Sequence, residues 1–332
     1  MYTINKELVK KLCSTYSPSG NENRVREIIE AEVKGYVDEV YTDALGNLIA
    51  HKKGNGKKLM LAGHMDHIGL MVTFIDEKGF LRFTNIGGIS PSISLSQRVI
   101  FENGTIGVIG SEKLDSLKDL NLDKLFIDIG ASSKEEAEKM VSIGDTCVYY
   151  AECLIDDKKV FSPALDDRIG CFIMIEALKL MKESNNDLYF VFTTQEELGL
   201  RGAKTAAYGV NPDFGIAFDV TATGDTPKGI KMSVKLGEGP TVKVKDNSVI
   251  CHPKVKNFMI EQAKKNDIPY QLEVLEFGGT DSGAIHLTRS GVPSGVMSIP
   301  TRYIHSTNEM CAISDIENAV KLTVKLIENE IE

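Results

Sequence analysis

Apolar residues recur at helical spacing near the start of the chain. After the turn Ser19-Gly20-Asn21, Val25, Ile28, Ile29 and Val33 fall on one face, which predicts the second of two opening amphipathic helices packed against a sheet. The period then shortens. Strand-like runs over Asn47 to His51 and Lys58 to Ala62 flank a Gly54-Asn55-Gly56 turn, and the second runs directly into Gly63-His64-Met65-Asp66. Polar residues at the C-terminal end of a strand stand where α/β proteins place their chemistry.

From about Gly69 to Phe161 the pattern changes to short alternating or β-branched runs around hairpin signals, Asp76-Glu77-Lys78-Gly79 and Asn103-Gly104 among them. One short helix, around Ser133 to Met140, interrupts them. After Pro163 an α/β rhythm resumes, with a helix from about Asp167 to Met181, a buried strand over Leu188 to Phe192, a helix over Leu200 to Tyr208, a strand from Gly215 to Asp219 and a closing helix from about Ser314. The pattern predicts an α/β fold in which residues 1–68 and 162–332 form one discontinuous sheet domain and residues 69–161 a small inserted β domain.

Composition narrows the function classes. The 332 residues are 42% hydrophobic and 26% charged, enough to bury a preorganised site and unlike a disordered chain. A formal net charge of -9 argues against nucleic acid as a partner, because phosphate binding draws on clustered Lys and Arg. No run is apolar and long enough for a bilayer span or a signal peptide, so a cytoplasmic protein without a membrane partner is expected. Cys13, Cys147, Cys153, Cys171, Cys251 and Cys311 are scattered without paired spacing and read as small buried hydrophobes.

Chemistry must then come from carboxylates and histidines. His64-Met65-Asp66, Asp166-Asp167, Glu196-Glu197, Asp219 and His305 all sit where strands end or helices begin. Adjacent carboxylates beside an apolar strand such as Leu188 to Thr193 are costly to bury unless a cation holds them. A sulfur-free set of imidazole and carboxylate donors suits zinc, cobalt or manganese, and it is too large for one catalytic zinc. Two ions roughly 3.5–4 Å apart, sharing one carboxylate, would activate water and polarise a carbonyl, which makes hydrolysis the expected reaction.

The segments Ala62-Gly63-His64-Met65-Asp66, Ala164-Leu165-Asp166-Asp167-Arg168, Thr194-Gln195-Glu196-Glu197-Leu198-Gly199, Ala217-Phe218-Asp219-Val220 and Arg302-Tyr303-Ile304-His305-Ser306, in that order, resemble the tetrahedral aminopeptidases, relatives of glutamyl aminopeptidase of which some are labelled cellulase M or endoglucanase. The resemblance covers essentially the whole chain. It implies a mixed-sheet zinc-peptidase catalytic domain with an inserted small β-barrel, PDZ-like and used for dimerisation, and dimers that assemble into a tetrahedral twelve-subunit particle acting on short peptides. It implies that Asp166 bridges two divalent ions, zinc or cobalt and alternatively manganese, with His64 and Glu197 on one and Asp219 and His305 on the other.

The same resemblance makes Glu196 the general base and implies a cis peptide between Asp166 and Asp167. Asp66 is counted catalytic as well, its carboxylate accepting a hydrogen bond from the His64 ring nitrogen that faces away from the metal. Gly278, Gly279 and Thr280, in a glycine-containing turn, and Arg302 and Tyr303 are candidates for the substrate pocket. The chain departs from the family at His67, where relatives often carry Glu; His67, His51, His252 and His286 are read as structural.

Two other functions compete. Paired carboxylates also serve glycoside hydrolases, although that chemistry leaves His64 and His305 unexplained and the chain has no Trp to form a sugar platform. A non-catalytic metal-holding scaffold has no use for a free base such as Glu196.

Overall fold

The computed structural model describes residues 2–332. Its largest element is an 11-stranded mixed sheet. At the centre, Asp187–Thr193, Lys58–His64, Phe214–Thr221 and Ser294–Arg302 lie side by side and parallel. On one flank Leu48–Lys52 and then Glu39–Thr42 add antiparallel; on the other Glu309–Ala312, Lys159–Ser162 and Leu154–Ile155 follow. Thr241–Lys245 and Gln271–Val274 branch from Ser294–Arg302.

The pleat explains why the central strands read as continuous apolar runs. Alternate residues point to opposite faces, and here both faces are covered. Leu59, Leu61, Leu188, Phe190 and Phe192 enter the larger core, which also takes the helices Lys6–Cys13, Asn23–Val33, Leu165–Leu180, Pro253–Lys265 and Ile313–Glu328. Met60, Ala62 and Val191 point the other way, against the helix Arg201–Val210 and the short helix Ser282–Ile285. Within the second opening helix, Val25, Ile29 and Val33 are fully buried.

The runs on either side of Gly54-Asn55-Gly56 do not pair with each other: Asp187–Thr193 lies between them, antiparallel to one and parallel to the other. A local turn signal cannot reveal a strand inserted from more than a hundred residues away.

A second, separate core fills a closed barrel of six antiparallel strands, Gly69–Ile75, Leu81–Ile86, Leu125–Asp128, Ile106–Ser111, Arg98–Phe101 and Thr146–Tyr149 in order around it. Leu70, Val72, Leu81, Phe83, Ile109 and Ile127 point inward, whereas Met71, Phe74 and Val108 are exposed. Residues 154–161, grouped with the insertion on sequence, instead hydrogen-bond into the large sheet through Lys159–Ser162 and its hairpin partner Leu154–Ile155. Short strands around a polar turn look alike in either sheet, and only the long-range pairing of Val160 with Cys311 tells them apart. Among the described residues, no helix is long and apolar enough to cross a membrane.

Candidate active site

Four parallel strands deliver their C-terminal ends to one edge of the sheet. His64 ends the first; Thr193 of the neighbouring strand stands in register with it and leads into Glu196 and Glu197. Asp219 lies near the end of Phe214–Thr221, and Ser294–Arg302 leads to His305, whose φ of 63° turns the chain back. Asp166 starts the helix below, and its peptide bond to Asp167 is cis.

The carboxylate of Asp166 is the centre of the cluster. Its Oδ1 lies 3.0 Å from His64 Nε2 and its Oδ2 3.3 Å from His305 Nε2. His305 Nε2 also stands 3.0 Å from Glu197 Oε1, while Glu196 Oε2 is 3.9 Å from His64 Nε2. His64, Asp166 and Glu197 each offer a donor atom within 4.8 Å of the others. Asp166, Glu196, Glu197, Asp219 and His305 line a cleft of about 590 Å³, with His64 buried beneath its wall.

Charge in this cleft is out of balance. Burial, together with neighbouring acids, pushes the carboxyls of Glu196, Glu197 and Asp219 above the usual range. Burial opposes charge on the histidines too, but the surrounding carboxylates outweigh it: His64 is raised well above its ordinary value and His305 is pushed up to about 12. Each shift reports a deficit of positive charge among buried anions. Nitrogen and oxygen donors without sulfur, with more carboxylates than two histidines can neutralise, fit divalent cations.

A family model for M42 glutamyl aminopeptidases matches residues 46–322. The chain belongs to that family. A relative in Acetivibrio thermocellus is 55% identical over 97% of this chain and 98% of its own length. The lysyl aminopeptidase of Pyrococcus furiosus is 39% identical, over 98% of this chain and 97% of its own. Among solved structures, that of the Pyrococcus horikoshii TET1 peptidase, which can assemble into a tetrahedron or a large octahedral shell, superposes with a TM-score of 0.87 at 36% identity, covering 98% of this chain and 99% of that one. As an M42 member the chain is a hydrolase acting on peptide bonds.

Contacts within this M42 cluster differ in two respects from the pairing expected on sequence. Glu197 was grouped with His64 and Asp219 with His305, yet Glu197 touches His305 directly. The His64 ring nitrogen Nδ1 faces the main-chain oxygen of Asp66 at 3.0 Å, with the Asp66 carboxylate farther off at 3.6 Å. That carboxylate instead accepts from the backbone N–H groups of Glu196 (3.0 Å) and Glu197 (3.2 Å) and from the Ser19 hydroxyl (2.6 Å). Burial raises its pKa, but these bonds and His64 more than offset the effect and hold it low. Asp66 therefore ties the His64 strand to the Glu196-Glu197 loop.

Gly278 and Gly279 line the cleft, whereas Thr280, Arg302 and Tyr303 do not. Thr280 is buried behind it. The Arg302 guanidinium is held by both oxygens of Asp225, at 3.2 and 2.6 Å, and the Tyr303 side chain, at a φ of 60°, stands largely in solvent. The chain turns left-handed at Tyr303, and Arg302 and Tyr303 stay out of the cleft while Ile304 and His305 line it. His67 is buried outside the cleft lining, its Nδ1 on the Ile68 carbonyl and its Nε2 accepting from Ser17 N–H; burial and nearby Arg168 lower its pKa to about 3, so it is neutral. His51 pairs with Asp187, His252 caps the helix Pro253–Lys265, and His286 bonds back to Ser282.

Sequence reading missed Glu309. Its two oxygens accept from the backbone N–H groups of His305 (2.8 Å) and Asp166 (3.0 Å), clamping two segments that carry the cluster, and burial beside Asp166 pushes its pKa up to about 8. A lone Glu in an apolar strand was the available signal. The barrel's Gly87-Gly88 was missed as well: a Cβ on Gly88 would stand 2.8 Å from His305 Nδ1, and one on Gly87 2.8 Å from Glu197 Oε2.

Proposed function

We propose that the chain is a two-metal aminopeptidase that removes N-terminal residues from short peptides, with Asp166 shared between the ions. One observation carries this reading: the two oxygens of Asp166 face different histidines, Oδ1 toward His64 and Oδ2 toward the His305–Glu197 pair. Glu197 has donor atoms near both His64 and His305; its direct contact with His305 supports placing those two on one side of Asp166, which leaves Asp219 to join His64 on the other. Zinc, cobalt or manganese suits the donors, and a pair of such ions would acidify water and polarise the scissile carbonyl.

Glu196 then has a different duty from its neighbour. Glu197 is engaged with His305, while Glu196 makes no closer contact to either histidine than 3.9 Å and is left to take a proton from water and pass it to the departing amine. Asp66 and Glu309 keep the pieces in place by holding backbone N–H groups, so the donors need little reorganisation. The acid-rich floor of the cleft also offers an anionic setting for a substrate's terminal ammonium.

Residues 1–68 with 154–332 supply the catalytic unit in this reading, and the barrel between them mediates assembly into dimers and a closed shell such as the one the TET1 peptidase forms. Six free buried cysteines suit a reducing, cytoplasmic setting. Chelation tests the proposal: with aminoacyl anilides, dialysis against EDTA abolishes turnover and Co²⁺ or Zn²⁺ restores it. Activity indifferent to chelation would sink it.

A further inference from the structure

We infer that the N-terminal residue accepted by this cleft is aliphatic or aromatic, neither acidic nor basic; the inference rests on the aminopeptidase reading and adds the substrate class. Apart from the metal-site groups and glycines, the lining consists of Leu200, Val220, Ala222, Leu275, Phe277 and Ile304, with Thr221 the sole other polar side chain. The Thr221 hydroxyl is already spent, donating to Glu273 Oε1 at 2.8 Å. A side chain entering beside the catalytic groups therefore meets carbon and main chain.

Neither charge finds a partner there. Among the described residues, no Lys or Arg lines the cleft. Arg302 is committed to Asp225, and Lys243, buried behind the strands, is held between Glu273 (2.9 Å) and Asp246 (3.3 Å). An acidic side chain would thus meet no cationic side chain, and the charge of the two divalent ions in the proposed site is already balanced by Asp166, Glu196, Glu197 and Asp219. Every carboxylate in the lining belongs to the catalytic cluster, so the ammonium of a lysine would find no acid on the apolar wall either. Setting an unpaired charge against this apolar wall disfavours both, whereas each added methylene of an apolar side chain improves binding.

Kinetics of the metal-loaded enzyme across Leu, Met, Phe, Ala, Glu and Lys p-nitroanilides tests the assignment. We expect kcat/KM for Leu or Met to exceed that for Glu and Lys by about 100-fold, and that for Ala by roughly 10-fold. Glu or Lys matching Leu would overturn the pocket assignment while leaving the aminopeptidase reading intact. No turnover of any anilide would overturn both. A second measurement is the ratio of Glu to Leu turnover in Ala222→Arg, taken on one preparation so that yield cancels. A cation on the wall should raise that ratio at least ~10-fold; an unchanged ratio means that the substrate side chain lies elsewhere.

Discussion

The large sheet and the barrel solve the same problem, burying apolar strands, in opposite ways. In the sheet, four parallel strands are covered on both faces, so their sequences are mostly apolar and polarity gathers toward where they stop. In the barrel most strands have one wet face, so Leu70 and Val72 go in while Met71 goes out, and charge at the strand ends, such as Glu112 between Arg82 and Lys124, is paired off on the surface. The difference shows why the chemistry sits where it does. Parallel strands bring all their C-terminal ends to one edge, and residues far apart in sequence meet there; an antiparallel barrel alternates its ends and gathers nothing comparable. Its approach to the catalytic groups is through backbone, at Gly87 and Gly88.

Substitutions can sharpen this contrast. The largest effect is expected at the edge of the sheet: Glu196→Gln should lower kcat by about 10²–10⁴-fold with metal content retained, because the proton acceptor is lost and the donors are not. Glu197→Gln should lose metal. Metal analysis beside kinetics separates the two, and identical behaviour of both variants refutes the division of labour.

Removing a ring from the doubly covered sheet comes next. Phe190→Ala should cost about 3–5 kcal/mol in denaturant unfolding, since Phe190 is wholly buried in the main core. In the barrel, Gly88→Ala asks for much less, a displacement of His305 by one methyl group. It should weaken metal binding by roughly 10–100-fold in a chelator competition while the circular dichroism spectrum is unchanged, as for other groups that orient ligands. Unaltered affinity would mean that the barrel merely sits beside the site. The smallest change is expected on the barrel's wet face: Ile106→Ser, at a position 49% exposed, should shift the unfolding free energy of the dissociated chain by no more than about 0.5 kcal/mol.

Much of this could be read before any coordinates. The run from Lys58 ending in His64, the run from Leu188 leading to Glu196 and the strand carrying Asp219 appear at their predicted places, because burial on two faces leaves a signal in every residue of a strand. The hairpins at Asp76-Gly79 and Asn103-Gly104 join barrel strands for the same local reason: turn chemistry is written in the turn. Arg302 and Tyr303 misled because adjacency to His305 in sequence was taken for a place in the cleft, which Ile304 shares with His305 and they do not.

By itself, then, the sequence determined the elements, the donor types and the order in which the chain visits them, since periodicity and strand-end polarity act over a few residues. Tertiary structure alone decided that Asp187–Thr193 slips between two strands nearly adjacent in sequence, that Glu197 meets His305, that Asp66 holds two backbone N–H groups, and that Glu309 and Gly88 press on the catalytic groups. Apart from the side-chain pair Glu197–His305, those facts act through a main-chain atom or a missing Cβ, and most join residues far apart in sequence. Neither leaves a mark in the pattern of side chains along the chain.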